Sequence, residues 1–265
     1  MFTIHAVDGY IETIYLAVYH DKVLLIDSGC RSDVPRIEQA MKRRLNRPMS
    51  QISLAVASHT HPDHAGGAHL LRERHAIPVA APKDINRWYA GFTGGLQHKI
   101  DTMLGYFVAW TLKYPFEMIC YNKRLAYDHP LNDGDRLPGF EDWQVIATPG
   151  HTSHDVVLYH AETKTLYAAD VILKVGTGYR PPFPVSMKKE MRESIGKLRN
   201  LDVKLLLMAH GGAEKITDFP AIIDAMLTEI DKGYPPGLQR FRKLEGFSPV
   251  IKKYYRQKRK EKKAS

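Results

Sequence analysis

The sequence has few cysteines and no long hydrophobic segment. Only two of its 265 residues are cysteine, Cys30 and Cys120, and they lie far apart in the chain. Two isolated cysteines argue against a disulfide framework and a cysteine-based zinc site, and they favour a reducing compartment. No run approaches the roughly 20 apolar residues that span a bilayer, and the first residues do not resemble a signal peptide. We therefore expect a cytoplasmic protein without a transmembrane segment.

Most of the chain also lacks a strong excess of charge of either sign. The formal net charge is +9, but residues 251–265 hold eight Lys or Arg and one Glu, which gives +7 and leaves +2 for the rest. Because the body is nearly neutral and shows no basic groove, nucleic acid is disfavoured as a partner. We interpret residues 236–265 as a basic C-terminal tail that serves solubility, with binding to nucleic acid or an acidic membrane as the alternative.

Short apolar runs alternate with amphipathic segments along the rest of the chain. The runs predict strands, several of them buried: "YLAVYH", "KVLLID", "ISLAVAS", "WQVIAT", "DVVLYH", "TLYAAD" and "VKLLLMAH". Helical patterns fall at about 33–45, 65–75, 187–199 and 217–232. The alternation is typical of the α/β class. No interior linker is apparent, so residues 1–235 are predicted to form one domain.

One segment, residues 86–120, departs from this alternation. It holds two of the three tryptophans and many other aromatic residues, and its part from Gln97 to Leu112 is predicted to be helical and apolar on much of its circumference. A core helix and a lid or wall over a site are both compatible with this pattern. If it is a wall, Trp88, Phe107 and Trp110 are candidate contacts for a hydrophobic acyl group of a small-molecule substrate.

Histidine and aspartate recur just beyond the ends of predicted strands. Five apolar runs each end in or lead to such residues: Asp27, the cluster "SHTHPDH", His151, Asp170 and His210. In sheet proteins, sites are built at the carboxyl ends of strands. Five such coincidences are hard to explain by packing alone.

The cluster at residues 58–64 has the spacing of a metal site. His59 and His61 are two positions apart, so in an extended loop they can chelate one ion, and Asp63 and His64 can reach a neighbouring position. Histidine and carboxylate suit zinc, and also iron or manganese. With His151, Asp170 and His210 there are seven candidate ligands, which suits two ions about 3.5–4 Å apart.

The motifs "LLIDSG", "SHTHPDH", "TPGHT", "AAD" and "MAHGG", in this order over residues 12–212, resemble those of the metallo-β-lactamase superfamily. The resemblance implies an αββα sandwich with the metal site at the edge between the two sheets. It also implies a ligand set for each metal and a supporting residue: His59, His61 and His151 for the first ion, Asp63, His64 and His210 for the second, Asp170 as the bridge, and Asp27 hydrogen bonded within the metal loop.

Aspartate at position 170 resembles the hydroxyacylglutathione hydrolase (glyoxalase II) branch rather than the true β-lactamases that bind two zincs. That branch carries a Lys-x-Tyr pair that grips glutathione, and the matching positions here are Tyr179 and Pro181, with Arg180 between them. The departure argues against glutathione as the substrate. Tyr179 and Arg180 remain candidate substrate contacts.

The expected function is a dinuclear zinc hydrolase of an ester, thioester or lactone that acts through a metal-bridging hydroxide. Asp63 would be catalytic, because it could orient the hydroxide and relay a proton. Two alternatives are a phosphodiesterase or ribonuclease of the same fold and a mononuclear iron persulfide dioxygenase. The sequence leaves the oligomeric state open, with a dimer among the possibilities.

Overall fold

Two six-stranded sheets form the centre of the molecule in a computed structural model, which describes residues 1–233 and 246–264. The first sheet runs through the strands in chain order: β1 (Thr3–Asp8), β2 (Thr13–Val18), β3 (Val23–Ile26), β4 (Ile52–Val56), β5 (Val79–Pro82) and β6 (His129–Leu131). Its first three strands are antiparallel, whereas β3 to β6 pair in parallel.

The second sheet has the order β14-β13-β10-β9-β8-β7. Its strands are β7 (Arg136–Leu137), β8 (Phe140–Ala147), β9 (Val156–His160), β10 (Thr165–Tyr167), β13 (Leu205–Met208) and β14 (Gly212–Lys215). Only β10 and β13 pair in parallel. In the sequence, a separate hairpin follows β10 and precedes β13. It consists of β11 (Leu173–Val175) and β12 (Gly178–Arg180). All seven predicted strands are confirmed.

Helices cover both outer faces of the sheets. Those in the described part of the chain are α1 (Val34–Gln39), α2 (Pro62–Ala65), α3 (Ala68–His75), α4 (Gly91–Thr111), α5 (Lys188–Leu198), α6 (Phe219–Lys232) and α7 (Pro249–Ala264). The start of α6 follows from its sequence: Oδ1 of Asp218 accepts a hydrogen bond from the Ala221 N–H at 3.0 Å, and Pro220 occupies the first turn. The helix predicted from Gln97 is real but begins earlier, at Gly91.

Three buried clusters define four layers. Residues such as Leu24 and Leu54 from the first sheet and Val145 and Leu158 from the second pack together between the sheets. The outer face of the first sheet packs against α1 and α3, and the outer face of the second packs against α5 and α6. Because both faces of each sheet are covered, strands such as β3 and β9 are buried along their whole length. The predicted αββα sandwich is confirmed.

The predicted basic tail is partly a packed helix. Residues 236–245 lie outside the described residues, but α7 carries Ile251, Tyr254 and Tyr255 into a cluster with Trp88 and Met187. The hydroxyls of Tyr254 and Tyr255 donate to the Glu190 carboxylate and the Ser186 carbonyl at 2.5 and 3.0 Å. Among the described residues, no helix is both long enough and apolar enough to cross a membrane. The division into residues 1–235 and 236–265 stays a prediction.

Candidate metal centre

The candidate ligands lie beyond the ends of four strands, one from the first sheet and three from the second. After β4 the chain enters the loop with His59 and His61 and then α2, which begins at Pro62 and carries Asp63 and His64. His151 follows β8, Asp170 follows β10 and His210 follows β13. The sequences "TPGH" and "AAD" are short connections, so the backbone places each side chain close to the strand end.

The first group of candidate ligands joins three histidines and one aspartate. Nδ1 of His61 lies 3.0 Å from Nε2 of His59 and 3.0 Å from Nε2 of His151. Oδ2 of Asp170 lies 3.4 Å from Nε2 of His151 and 3.9 Å from Nε2 of His59. The four ligand atoms fall within 4.8 Å of one another, so they could hold one metal ion.

The second group consists of Asp63, His64 and His210. Oδ2 of Asp63 lies 3.3 Å from Nε2 of His210 and 3.8 Å from Nε2 of His64. Oδ1 of Asp170 lies 3.2 Å from Nε2 of His64 and 3.3 Å from Nε2 of His210. The Asp170 carboxylate therefore turns one oxygen toward each group, which is the arrangement that a bridging ligand requires.

Four of the histidines are held by the ring nitrogen that faces away from the groups. In each case Nδ1 contacts a neighbouring oxygen and leaves Nε2 directed inward: His59 to Ser58 Oγ at 3.1 Å, His64 to Asp27 Oδ2 at 2.6 Å, His151 to the Pro184 carbonyl at 2.9 Å and His210 to the Ile11 carbonyl at 3.0 Å. Such contacts fix the ring orientation and the tautomer of a metal-binding histidine. His61 differs because it turns Nδ1 inward.

The unsatisfied polar atoms of the site are a test of whether metal ions fit it. Nε2 of His64 and Oδ1 of Asp170 are buried and have no hydrogen-bond partner among the described residues. A buried polar atom left without a partner costs about 1–3 kcal/mol. Two such atoms that face each other across 3.2 Å are explained if a cation contacts both. The donors are imidazole and carboxylate without thiolate, so the residues fit zinc, iron or manganese.

The electrostatics favour the metal-binding form of only some of the ligands. Burial lowers the pKa of His59 well below its usual value and also lowers that of His151, so both rings are neutral near pH 7. Burial opposes ionisation of Asp63 and Asp170, but the charges of His64 and His210 together outweigh it and lower the pKa of both carboxyls. Neutral imidazoles and ionised carboxylates are the forms that coordinate a cation. Burial would lower the pKa of His64 and His210, but the Asp170 and Asp63 carboxylates outweigh it and raise both well above the usual value, so a cation that binds these rings displaces a proton.

Asp27 accepts hydrogen bonds from the loop that carries His59 and His61. Its Oδ1 accepts from the Ser58 backbone N–H at 2.6 Å, and its Oδ2 accepts from Ser58 Oγ at 2.7 Å. The hydroxyl of Tyr167 also donates to Oδ2. The backbone at Asp27 has a φ of 58°, in the left-handed region that few non-glycine residues adopt. Asp27 therefore ties the loop before His59 to the ring of His64.

The sequence profile that matches this chain is that of the metallo-beta-lactamase superfamily, and the match covers residues 7–210. This range contains all seven candidate ligands and Asp27. The chain belongs to the metallo-beta-lactamase superfamily. It is a metallo-hydrolase of this superfamily with a potential metal site.

Relatives within the superfamily are distant. The Bacillus subtilis (strain 168) protein "Probable metallo-hydrolase YflN" is 25% identical over 201 residues, which are 71% of this chain and 75% of that protein. A hydroxyacylglutathione hydrolase of Hydrogenovibrio crunogenus is 37% identical over 78 residues, 28% of this chain and 26% of that enzyme. The crystal structure of the metallo-beta-lactamase family protein TTHA1429 from Thermus thermophilus matches with a TM-score of 0.66 and 18% identity, over 97% of this chain and 93% of that chain. This last likeness shows the fold alone.

The aromatic residues predicted to form a substrate wall differ strongly in exposure. Trp88 is enclosed by Tyr89, Met187 and Ile251, with 1% of its surface exposed. Phe107 and Trp110 are 55% and 72% exposed on the outer side of α4. Since α4 is apolar on most of its circumference, its sequence did not show which side faces the site. The assignment of these three residues as substrate contacts stays a prediction.

The other two predicted substrate contacts lie in the hairpin after Asp170. The hydroxyl of Tyr179 donates to Oε2 of Glu214 at 2.9 Å, and Arg180 pairs with Glu229. Both side chains are thus engaged with carboxylates of this chain. The backbone N–H of Lys174 donates to the His210 carbonyl at 2.8 Å, so the hairpin lies against a candidate ligand. Whether Tyr179 or Arg180 contacts substrate stays a prediction.

The inner side of α4 supplies a residue that the sequence analysis missed. Oδ2 of Asp101 lies 3.6 Å from Nε2 of His61. Asp101 is buried and accepts hydrogen bonds from the Tyr89 hydroxyl at 2.9 Å and from Nε2 of Gln97 at 2.8 Å. The hydroxyl of Tyr121 donates to the Thr60 carbonyl in the metal loop at 2.6 Å. A signal was present, because Gln97 and Asp101 are polar residues one turn apart on a mostly apolar helix.

Two further buried groups near the site have no hydrogen-bond partner among the described residues. Both carboxylate oxygens of Glu12 are unpartnered, and Oε2 lies 3.8 Å from Nδ1 of His64. Both ring nitrogens of His154 are also unpartnered, and its ring meets that of Trp88 edge-on at 6.1 Å. Burial, with smaller contributions from the charges of His61 and His151, lowers the pKa of His154 to about 3.

Proposed function

We propose that the protein hydrolyses an ester, a thioester or a lactone with the help of two metal ions, zinc being the first choice. Asp170 carries this proposal, because its two carboxylate oxygens face two separate groups of ligand atoms. A single ion in either group would leave inward-facing donors of the other group unused. The choice of a small-molecule substrate is supported by the hydroxyacylglutathione hydrolases among the relatives.

The distances support a separate set of ligands for each ion. We assign the first ion to the imidazole nitrogens of the first group and Oδ2 of Asp170, and the second ion to Asp63, the second group's histidines and Oδ1 of Asp170. Ions bound there supply a water made acidic near neutral pH and polarise the substrate carbonyl. Asp27 holds the loop through its hydrogen bond with Ser58, and it orients the ring of His64 through a direct contact with Nδ1.

Asp63 is the side chain that we assign to proton handling. Its carboxylate is buried and lies 3.3 Å from Nε2 of His210, and the positive charge that it faces lowers its pKa although burial alone would raise it. An ionised carboxylate at this place can orient the attacking water by accepting its hydrogen bond, and it can then carry the proton to the leaving group. Because Asp63 carries this proton, protonation of the leaving group requires no second acidic side chain.

Phosphodiester hydrolysis is the second candidate. The same ligand set serves that reaction, and the exposed basic residues of α7 could contact a polyanion. The mononuclear iron dioxygenase has less support, because one ion in the first group would leave Nε2 of His64 buried and unpaired. Iron or manganese in place of zinc remains compatible with the donors. We also propose a cytoplasmic location, which agrees with the two free cysteines.

The test begins with the metal content of the purified protein. The metal-free protein, prepared with a chelator, is reloaded with zinc, iron or manganese, and the ions are counted by elemental analysis. We expect about two ions per chain, as in other two-metal sites. One iron per chain with no second ion would reject the dinuclear hydrolase in favour of the dioxygenase.

The reloaded protein is then assayed on acyl thioesters, acyl lactones and an activated phosphodiester. We expect turnover of a thioester or lactone and a loss of at least about a thousandfold in Asp63→Asn, of the size that removal of a proton-handling group gives. His75→Gln is the matched control, because His75 pairs with Glu38 on α1 outside both groups. Faster turnover of the phosphodiester than of every acyl substrate would reject the proposed reaction.

A further inference from the structure

The outer side of α4 and the segment that follows it expose a large apolar area. Six side chains there are each more than half exposed and are called here the apolar surface: Phe92, Met103, Phe107, Trp110, Phe116 and Met118. Apart from Met1, Val175 and Phe183, the exposed large hydrophobic side chains of the described residues all lie between positions 92 and 118. Exposed apolar area concentrated in one region marks an interaction site.

Most members of the apolar surface adjoin one another. Met103, Phe107 and Trp110 are four and three positions apart, so they lie on the same side of α4. The ring centres of Phe107 and Trp110 are 5.8 Å apart. Phe116 stacks on Tyr106 with a centre-to-centre distance of 5.1 Å, which holds the segment after α4 against the helix. Met103, Phe107, Trp110 and Phe116 therefore cluster at the C-terminal half of α4, whereas Phe92 lies about three turns away at its N-terminal end.

The exposed charges around this patch are mostly of one sign. Residues 91–124 contain four bases, Lys99, Lys113, Lys123 and Arg124. The same stretch has two acids: Asp101 is buried, and Glu117 pairs with Arg36 at 2.6 Å. Aromatic side chains beside exposed lysines are typical of surfaces that enter the interface of a membrane.

The basic helix α7 starts beside the N-terminal half of α4. Oε1 of Gln97 accepts hydrogen bonds from the backbone N–H groups of Phe247 and Ser248 at 3.2 and 3.3 Å. Oγ of Ser248 donates to the Trp88 carbonyl at 2.9 Å. The helix then exposes several basic side chains, among them Lys253, Arg256, Arg259 and Lys260. The chain thus joins its most cationic element to the helix that carries the patch.

We propose that the apolar surface docks the protein on a membrane that contains anionic lipids, with the bases of α7 and of residues 91–124 next to the headgroups. The positive charge around the apolar surface favours a membrane over a second copy of the chain as the binding partner. A second copy of the chain in a two-fold contact would bring the same bases of both copies together, which is unfavourable. Anionic headgroups neutralise them while the acyl region accepts Phe107 and Trp110. This docking is independent of the proposed reaction.

The test uses the full-length, metal-loaded protein and sedimentation with vesicles. We expect binding to vesicles of phosphatidylcholine that contain phosphatidylglycerol, weaker binding to phosphatidylcholine alone, and a decrease at high salt. The double variant Phe107→Ser/Trp110→Ser should bind the anionic vesicles at least about tenfold more weakly. Val175→Ser is the matched control, because Val175 is 64% exposed on β11 outside the patch, and it should bind as the parent does.

Tryptophan fluorescence gives a second, local readout. The chain has three tryptophans, of which Trp88 and Trp143 are 1% and 0% exposed, whereas Trp110 is 72% exposed. Entry of Trp110 into the bilayer interface should shift the emission to shorter wavelength when anionic vesicles are added. In Trp110→Phe the shift should disappear while sedimentation with the vesicles persists, because phenylalanine retains most of the apolar area.

Three results would overturn the proposal. The first is no sedimentation with either kind of vesicle. The second is vesicle binding that Lys253→Glu/Arg256→Glu abolishes but Phe107→Ser/Trp110→Ser leaves unchanged, since the apolar surface would then take no part. The third is a stable dimer by light scattering that Phe107→Ser/Trp110→Ser converts to a monomer without any vesicle binding by the parent, which would assign the patch to a second copy. Circular dichroism confirms the fold of each variant.

Discussion

Replacing Asp101 with asparagine is expected to weaken metal binding at the first group about ten- to a hundredfold, the range typical of residues that orient a metal ligand. Oδ2 of Asp101 lies 3.6 Å from Nε2 of His61, which is the ring nitrogen that points away from the group. Burial alone would lower the pKa of His61, but the Asp101 carboxylate, followed by those of Asp63 and Asp170, reverses this and raises it. Asp101 thus favours a proton on Nε2 and leaves Nδ1 free to bind the ion.

Asparagine is chosen so that the loss of metal affinity can be distinguished from a general loss of protein stability. Asparagine has nearly the shape of aspartate and keeps one of its two acceptor oxygens, so it removes the charge that faces His61 and only one of the two hydrogen bonds that Asp101 accepts. A tenfold to hundredfold loss corresponds to about 1.4–2.7 kcal/mol of binding free energy. Asp101→Ala is less suitable, because it would leave the buried donors of Gln97 and Tyr89 without an acceptor.

The assay is a titration of the metal-free protein with cobalt(II) in competition with a chelator, followed by the visible absorption of the bound ion. We expect the affinity of one ion to fall in Asp101→Asn and that of the other to change little. Glu193→Gln is the matched control, because Glu193 is an exposed carboxylate on α5 that contacts Lys189, and its affinities should equal those of the parent.

Two outcomes would refute this account of Asp101. One is an unchanged affinity for both ions in Asp101→Asn. The other is a loss of both ions that is matched by an equal loss in the free energy of unfolding of the metal-free protein, because the effect would then arise from folding. A decrease confined to one ion, with an unchanged absorption spectrum of the remaining ion, agrees with a role in positioning His61.

Three further predictions follow from the same structure. Asp170→Ala should lose both ions and His210→Ala chiefly one, as counted by elemental analysis; full metal in Asp170→Ala would contradict the bridge. The lowered pKa of His154 means that its neutral form is favoured on folding, so stability is complete above pH 6.5 and falls as the pH drops toward 3. Relative to His154→Leu, the parent should therefore lose roughly 1 kcal/mol per pH unit below 6.5 in denaturant titrations, and a constant difference would contradict this. Gly94→Ala should lower the melting temperature, because the added Cβ would lie 2.2 Å from the Tyr89 carbonyl carbon. Gly95→Ala should instead raise stability by up to about 1 kcal/mol, because the added Cβ would meet only Lys123 Nζ at 3.5 Å. Equal effects of the two variants would show that α4 does not pack this closely.

The sequence by itself determined the class of fold and the candidate ligands. The strands were recognisable because each is a short apolar run that ends in a polar or turn-forming residue, as "LLID" does at Asp27 and "LYAAD" does at Asp170. The spacing of His59 and His61 is a local property of the chain, and so it indicates a chelating pair without any knowledge of the fold. What these local patterns specify is the type of each element and the residue at its end.

Only the tertiary structure decided how the distant residues meet. That Asp170 turns one oxygen to each group depends on the pairing of β10 with β13 and on the approach of the two sheets, which no local pattern records. The side of α4 that faces the site was likewise undetermined, because apolar residues surround most of that helix, so hydrophobicity alone does not distinguish the inner side from the outer. The structure placed Asp101 inward and Phe107 outward, since burial depends on what the rest of the chain packs against and not on the helix itself.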